Sequence, residues 1–175
     1  MSAWRPQPED LQRVFDEQNP WQRDGRVPDA LARPVERTLA KLLWRRLRDD
    51  EPHRFQLVLG PRRVGKTTAL YQTVRHLISD GTDPKRIWWL RLDHPLLLQE
   101  QLGDLVRAVI ESSGATDASP VFLMLDELVY TDRWDQWLKT FYDDRWPVRI
   151  AATSSATAAL RDRRLRAPAS QAANR

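Results

Sequence analysis

The residue types best suited to chemistry stand together in the run Gly60-Pro61-Arg62-Arg63-Val64-Gly65-Lys66-Thr67-Thr68. Its two glycines, lysine and hydroxyl have the spacing G-x-x-x-x-G-K-S/T, which is matched in full. Such glycines let the backbone turn so tightly that successive N–H groups point at one anion, and a helix beginning there adds the positive end of its dipole. The run therefore predicts a phosphate-binding loop, or P-loop, whose residues surround the phosphates of a nucleotide.

Two side chains of this loop are predicted to contact the ligand directly. The Lys66 ammonium would reach the β- and γ-phosphates, and the Thr67 hydroxyl would bind magnesium. Lys66 is one of only four lysines in a chain that otherwise uses arginine. The alternative is an ordinary glycine turn with a surface lysine. Arg62 and Arg63 are expected near the phosphates, facing solvent, without a catalytic role.

An acidic pair forms the second candidate site. The apolar run 121–125 leads directly into Asp126 and Glu127. A buried strand would place Asp126 beside the loop, where a hard oxygen ligand can hold magnesium and its waters. Glu127 would face the γ-phosphate and orient or deprotonate a water, which favours hydrolysis over transfer to another acceptor. The alternative is a strand that simply runs into an acidic turn.

A third candidate is a group of hydroxyls, Thr153, Ser154 and Ser155, which follows another apolar run. Hydroxyls at the carboxyl end of a parallel strand lie at the ligand edge of a sheet. Thr153 could there bond the attacking water or the γ-phosphate, so it is a candidate catalytic residue. The competing interpretation is the N-cap of a helix that begins at Ala156.

Alternating patterns predict the elements that must position these residues. Short apolar runs predict four strands, at 55–59, 86–92, 121–125 and 148–153. Helical periodicity predicts four helices, at 34–50, 66–79, 96–112 and 132–142. Strands that alternate with helices indicate a parallel sheet covered on both faces, so we expect an α/β fold with three layers, α/β/α.

Apolar side chains indicate where the core should lie. The helix at 34–50 is expected to bury one face made of Val35, Leu39, Leu42, Leu43 and Leu47. Core anchors, rather than platforms for stacking nucleic-acid bases, are predicted at Trp88, Trp89, Trp134, Trp137 and Phe141.

The organisation of the 175-residue chain suits one domain with two appendages. We expect an arm at 1–33, irregular apart from a short helix at 10–18, a nucleotide-binding domain at 34–160 and a basic, disordered tail at 161–175. The net charge of +4 resides in residues 156–175, where five arginines stand against one aspartate. Such a tail is more often solvated than a specific nucleic-acid site.

Composition excludes several other classes. The chain has no cysteine, so it can form neither a disulfide framework nor a thiolate zinc site. Its three histidines lack the spacing of metal ligands. No run approaches the roughly 18 apolar residues that a membrane span needs, and the start MSAWRPQPED has no secretory apolar region. We therefore expect a cytoplasmic protein without a membrane partner.

Taken in order, GPRRVGKTT, WWLRLDHP, FLMLDE and the Trp-containing helix leading to IAATSS resemble bacterial and archaeal ATPases of the AAA-like, P-loop class. The resemblance covers about residues 34–160 and is closest to the group in which the ATPase domain precedes a C-terminal domain of unknown function. It implies that the strand ending at Thr153 separates the P-loop strand from the acidic strand. It also implies ATP and Mg²⁺ as ligands, with Asp126 supporting the metal and Glu127 as the catalytic acid.

The chain departs from this family pattern at two points. The family's sensor strand commonly ends Thr-Gly-Ser-Ser, where this chain has Thr153-Ser154-Ser155. Family members also continue with a Gly-Arg element, a fifth strand and the C-terminal domain, which this sequence does not match. An arginine finger contributes a thousandfold or more to turnover. We therefore expect a truncated chain, or one that borrows an arginine from a second copy or a protein partner.

The sequence leaves three functions to compare. Magnesium-dependent ATP hydrolysis is the first hypothesis, because it gives a role to every candidate residue. The alternative is a non-hydrolysing nucleotide-binding module that acts through protein interaction. A small-molecule kinase is the third, and the carboxylate pair makes water a better acceptor than a second substrate.

Overall fold

The computed structural model describes residues 6–49 and 55–155, in which helices and strands alternate. The strands are β1 (Gln56–Gly60), β2 (Ile87–Arg91), β3 (Val121–Asp126) and β4 (Val148–Ser155). The helices are α1 (Pro8–Gln18), α2 (Trp21–Asp24), α3 (Asp29–Ala32), α4 (Thr38–Arg48), α5 (Lys66–Ser79), α6 (Leu102–Ser113) and α7 (Trp134–Asp143). Short 3₁₀ turns lie at Pro84–Arg86, Leu97–Gln99 and Leu128–Tyr130.

The four strands form one parallel sheet in the order β1-β4-β3-β2. β4 lies between β1 and β3, with Leu59 opposite Ser154 and Leu125 opposite Ala152. The predicted parallel α/β sheet is confirmed, as is the position of β4 between the P-loop strand and the acidic strand. Because the carboxyl ends of parallel strands meet at one edge, the three candidate sites converge there.

Side chains of successive strand residues enter two separate cores, one on each face of the sheet. Trp89 and Met124 pack with α2, α3, α4 and α5 on one face. Trp88 and Leu123 pack with α1, α6 and α7 on the other. Strands buried on both faces explain why the sequence shows apolar runs rather than strict alternation. The three-layer architecture is therefore confirmed.

The helix predicted at 34–50 begins later than expected, at Thr38. Val35 lies outside it and is 78% exposed, while Leu42 is 51% exposed on its outer surface, so their assignment to the core is wrong. Leu43 and Leu47 are buried as predicted.

A buried glutamine of α5 explains this late start. The Gln72 Nε2 donates to the carbonyls of Ala32 (2.7 Å) and Val35 (2.8 Å), and its Oε1 accepts from the Arg37 amide (2.9 Å). These bonds hold the segment 33–37 outside the helix. Because Gln72 lies far away in the chain, the sequence around 34–37 gives no sign that these bonds will replace helical ones.

The helix predicted at 96–112 is divided in the structure. The 3₁₀ turn Leu97–Gln99 buries Leu97, Gln101 is extended, and α6 begins only at Leu102. Gly103 in its first turn lies against Trp137 of α7, where an added Cβ would stand 2.2 Å from the indole ring. The close approach of α6 and α7 therefore requires glycine at this position.

The N-terminal arm is more helical than the single short helix predicted for it. α2 and α3 follow α1, and Trp21 of α2 is fully buried. The Trp21 indole contacts Tyr71, whose ring stacks on Trp89 at a centroid distance of 3.9 Å. The arm thus packs on the sheet and on α5.

Side chains of the arm also cap β2, the last strand of the described sheet. The Asn19 amide donates from Nδ2 to the Trp89 carbonyl (3.0 Å), and its Oδ1 accepts from the Trp89 amide (2.5 Å). The Trp21 Nε1 donates to the Ile87 carbonyl (2.9 Å). Because these backbone groups are already satisfied, another strand cannot add beside β2 without displacing the arm.

The predicted tail at 161–175 lies outside the described residues, as does the alternative helix from Ala156. None of the helices in the described ranges has the length and apolar character needed to cross a membrane.

Candidate nucleotide-binding site

The loop between β1 and α5 has the geometry of an anion-binding turn. Gly65 adopts φ 89°, a left-handed conformation that glycine adopts without the steric penalty a Cβ imposes. α5 begins at the next residue, Lys66. The unpaired N–H groups of its first turn and the positive end of its dipole therefore lie at the loop.

Lys66 is held against this loop. Its side chain is largely buried, with the residue 8% exposed, and the Nζ donates to the carbonyls of Gly60 (2.9 Å) and Pro61 (2.6 Å). Neutral carbonyls bind an ammonium less strongly than a phosphate oxygen does. A phosphate entering the loop would therefore draw the Nζ away from these carbonyls.

Asp126 joins the P-loop to β4. It ends β3 and is buried, and the Thr67 hydroxyl donates to its carboxylate at 3.0 Å. The Thr153 hydroxyl donates to the same carboxylate at 2.5 Å. One residue from each of the three predicted sites is thus brought into a single hydrogen-bonded cluster.

The electrostatics of Asp126 follow from this position. Burial raises the pKa of its carboxyl above the ordinary value, and the hydrogen bonds from the two threonines oppose that rise. The negative charges of Glu127 and Asp93 raise the pKa further. A cation at this carboxylate would relieve both the burial penalty and the repulsion.

Glu127 is fixed at both its backbone and its side chain. It takes φ 58°, which is unusual for a residue with a side chain. Its amide donates to the Thr153 hydroxyl (3.3 Å), and its Oε2 accepts from the Ser155 amide (3.3 Å). The carboxylate is thereby held at the carboxyl end of β4.

These residues border an open cavity of about 610 Å³, a volume within the usual range of ligand sites. Its lining carries more positive than negative charge. The basic lining residues are Arg33, Arg37, Arg62, Arg63 and Lys66, and the acidic ones are Asp93 and Glu127. Such a surplus suits an anionic ligand.

Most of the predicted loop residues line this cavity, and the rest support it from behind. The lining includes Arg62, Arg63, Glu127 and the stretch 65–68. Gly60 and Pro61 contribute the carbonyls that hold Lys66, and the Val64 carbonyl accepts from Arg37. Arg62 is also less free than expected, since its Nη2 donates to the Tyr130 hydroxyl at 2.6 Å.

Sequence reasoning missed three residues of the cavity: Arg33, Arg37 and Asp93. Asp93 follows β2 much as Asp126 ends β3, so its place after an apolar strand was a usable signal. The two arginines carry no comparable signal, because only the tertiary fold of the segment 33–37 brings them to the loop.

Comparison with protein-family models matches residues 52–172 to the AAA domain. This match covers more than half of the chain and includes the loop, the acidic pair and β4. The chain belongs to the AAA-domain family. Membership in this family indicates nucleotide binding of the P-loop type.

A curated relative supports membership in the AAA-domain family. An uncharacterized protein of Methanocaldococcus jannaschii is 34% identical over 107 residues, which is 61% of this chain. The chain spans only about 22% of the length of that relative.

Proposed function

We propose that this chain binds ATP together with Mg²⁺ at the P-loop and hydrolyses it. The observation that carries the proposal is the cluster in which Thr67, Asp126 and Thr153 meet beside Lys66. In this arrangement the loop amides cradle the phosphates and Lys66 leaves its carbonyl partners for the β- and γ-phosphates. The choice of ATP over GTP as the ligand rests on membership in the AAA-domain family.

Thr67, in the first turn of α5, and Asp126, at the end of β3, are suited to bind magnesium. The Thr67 Oγ1 and the Asp126 Oδ2 lie 3.0 Å apart, so two hard oxygens stand together beside the phosphate-binding turn. Mg²⁺ favours such sites, with one or two protein oxygens, substrate phosphates and water. When bound, the ion neutralises charge that develops on the β- and γ-phosphates. Thr67 would hold it directly, and Asp126 would hold it directly or through its waters.

Glu127 is the proposed group that acts on water, and Thr153 supports it. Glu127 lines the cavity, and once its carboxylate turns from the Ser155 amide toward the phosphates it can accept the proton of a water attacking the γ-phosphate. The Thr153 hydroxyl bonds Asp126 and the Glu127 amide, which fixes the acidic pair relative to β4. Thr153 is fully buried behind the cavity, so it acts by positioning the pair.

The test compares ATP binding and phosphate release for the wild-type chain, Lys66→Ala and Glu127→Gln, each with magnesium. Lys66→Ala should weaken ATP binding by roughly ten- to a hundredfold, because it removes a charge-assisted contact to phosphate. Glu127→Gln should bind ATP but release phosphate at least about a hundredfold more slowly, because an amide cannot take the proton. Lys139→Ala, at an exposed lysine of α7, is the matched control and should change neither value.

A non-hydrolysing nucleotide-binding module is the second candidate, and the position of Glu127 favours it in one respect. The bond from the Ser155 amide holds the Glu127 carboxylate at β4, so catalysis requires that carboxylate to turn toward the phosphates. ATP binding without phosphate release in the wild-type chain would support this module and would call for an added arginine from a second copy or a partner. No ATP binding at all would contradict both functions.

A further inference from the structure

The segment 33–37, between α3 and α4, lies beside the P-loop although it precedes it by more than 20 residues. Gln72 holds its backbone through the carbonyls of Ala32 and Val35 and the amide of Arg37. Arg33, at the start of the segment, takes φ 56° and ψ 153°, a conformation that costs a residue with a side chain on the order of 1–3 kcal/mol. The fold thus holds this segment in one place at a local energetic cost.

The Arg37 side chain reaches from this segment onto the loop itself. Its Nη1 donates to the Val64 carbonyl at 3.1 Å. Its guanidinium covers Gly65 so closely that a Cβ on Gly65 would stand 2.2 Å from the central guanidinium carbon. The absence of a side chain at Gly65 therefore does more than permit a positive φ, because it also leaves room for Arg37.

Arg37 is exposed and lines the cavity, so a ligand that enters the cavity can reach this side chain. A guanidinium has five N–H donors in a planar fork that matches phosphate oxygens, and the bond to the Val64 carbonyl uses one of them. The segment preceding β1 therefore brings a phosphate-type donor to a cavity whose other donors come from the loop and α5.

We infer that Arg37 is a nucleotide-binding residue, supplied in cis by the segment 33–37, which contacts the diphosphate part of the bound nucleotide. This rests on the proposed function. The assignment to the diphosphate follows from the contact with Val64 and Gly65, since this part of the loop cradles the α- and β-phosphates. Lys66 bridges the β- and γ-phosphates, and Glu127 acts at the γ-phosphate. Arg37 thus differs from an arginine finger, which acts on the transferred phosphoryl group.

The experiment measures the dissociation constants of Mg-ATP and Mg-ADP for the wild-type chain, Arg37→Ala and Arg37→Lys. Arg37→Ala should weaken both nucleotides by a similar factor of about ten, because both contain the diphosphate. Arg37→Lys should recover part of this loss, since it keeps the charge without the planar fork. Arg46→Ala is the control: it removes an arginine from α4, the helix that follows Arg37, at an exposed position outside the cavity, and should leave both constants unchanged.

Three results would overturn the inference. Unchanged affinity for both nucleotides in Arg37→Ala would show that the side chain serves only to support the loop. A weakening confined to Mg-ATP, or a loss confined to the rate of phosphate release, would make Arg37 a γ-phosphate residue. Failure of the wild-type chain to bind either nucleotide would remove the proposed function and this inference together. Unfolding curves without nucleotide for each variant separate a binding loss from a loss of fold.

Discussion

Asp126 is a buried carboxyl whose charge is stabilised by Thr67 and Thr153 and opposed by its acidic neighbours. Its pKa lies above the value in an unfolded chain, so the native state binds more protons than the unfolded state between those two pKa values. The free energy of unfolding therefore falls as pH rises from about 4 through that interval. Ionisation of this buried carboxyl therefore costs the nucleotide-free fold stability.

Replacing this carboxyl by an amide should therefore stabilise the chain while removing function. Asp126→Asn is expected to raise the free energy of unfolding at pH 7 in the absence of nucleotide and magnesium, and to abolish the magnesium dependence of ATP binding. Denaturant unfolding and binding with and without Mg²⁺ measure the two effects. The control Glu17→Gln, at an exposed site on α1, should change neither, and a less stable Asp126→Asn would contradict the argument.

At the residue scale, the sequence alone predicted those site residues that a local pattern marks. Gly65, Lys66 and Thr67 are consecutive, and Asp126 directly follows an apolar strand, so both patterns can be recognised without a structure. Arg37 gave no such signal, because its place in the cavity depends on Gln72, 35 positions away in the chain. The roles proposed for all of these side chains stay predictions until variants are measured.

At the scale of elements, α5 does more than present the P-loop. Gln72, on its second turn, is fully buried and forms hydrogen bonds to three different backbone groups of the segment 32–37. The helix that ends the P-loop is thereby the one that fixes the segment carrying Arg37. This coupling links the position of the arm to the position of the phosphate-binding turn.

Removing the Gln72 amide should loosen that segment. Gln72→Leu keeps a side chain of similar size but leaves the buried Ala32 carbonyl without its partner, at a cost of about 1–3 kcal/mol, and two partly buried backbone groups at a smaller cost, so stability should fall by about 2–4 kcal/mol. Hydrogen exchange should rise at the Arg37 amide, and ATP affinity should fall with it. Gln136→Leu, on the exposed face of α7, makes the same substitution without buried partners and should have little effect. Unchanged exchange at Arg37 would contradict this role.

The sequence predicted the type and order of the main elements well and their limits less well. α5 was predicted at its observed bounds, because a glycine turn and a helical pattern meet at Lys66. α4 and α6 begin later than their apolar patterns, since Gln72 competes for one and a 3₁₀ turn at Leu97 replaces the start of the other. Such competition arises between segments and cannot be read from either alone.

At the scale of the whole molecule, the two outer strands of the described sheet, β1 and β2, have different surroundings. Arm residues cap β2, whereas β1 pairs only with β4 within residues 6–49 and 55–155. Leu57 and Leu59 of β1 are 41% and 58% exposed. The arm therefore has a structural task at one edge of the sheet, while the adjoining segment 33–37 supplies Arg37 at the P-loop.

Loss of the cap should expose β2. Asn19→Ala removes both hydrogen bonds to Trp89 and should lower the free energy of unfolding by about 1–3 kcal/mol, with faster hydrogen exchange at the Trp89 amide. Gln12→Ala removes a single exposed bond on α1 and serves as the control. Equal stability of the Asn19 variant and the wild-type chain would show that the cap is dispensable.

The contact between Asn19 and Trp89 joins residues 70 positions apart and so encloses β1, the P-loop and α5 in one chain loop. During synthesis the arm leaves the ribosome first, yet its partners on β2 are translated last among these segments. The enclosed strand and helix can form local contacts, and α5 can bind the arm through Gln72, before Asn19 has its partner on β2. We therefore expect the contact between Asn19 and β2 to form late in vectorial folding, so that a nascent chain ending before residue 87 holds the arm through α5 alone.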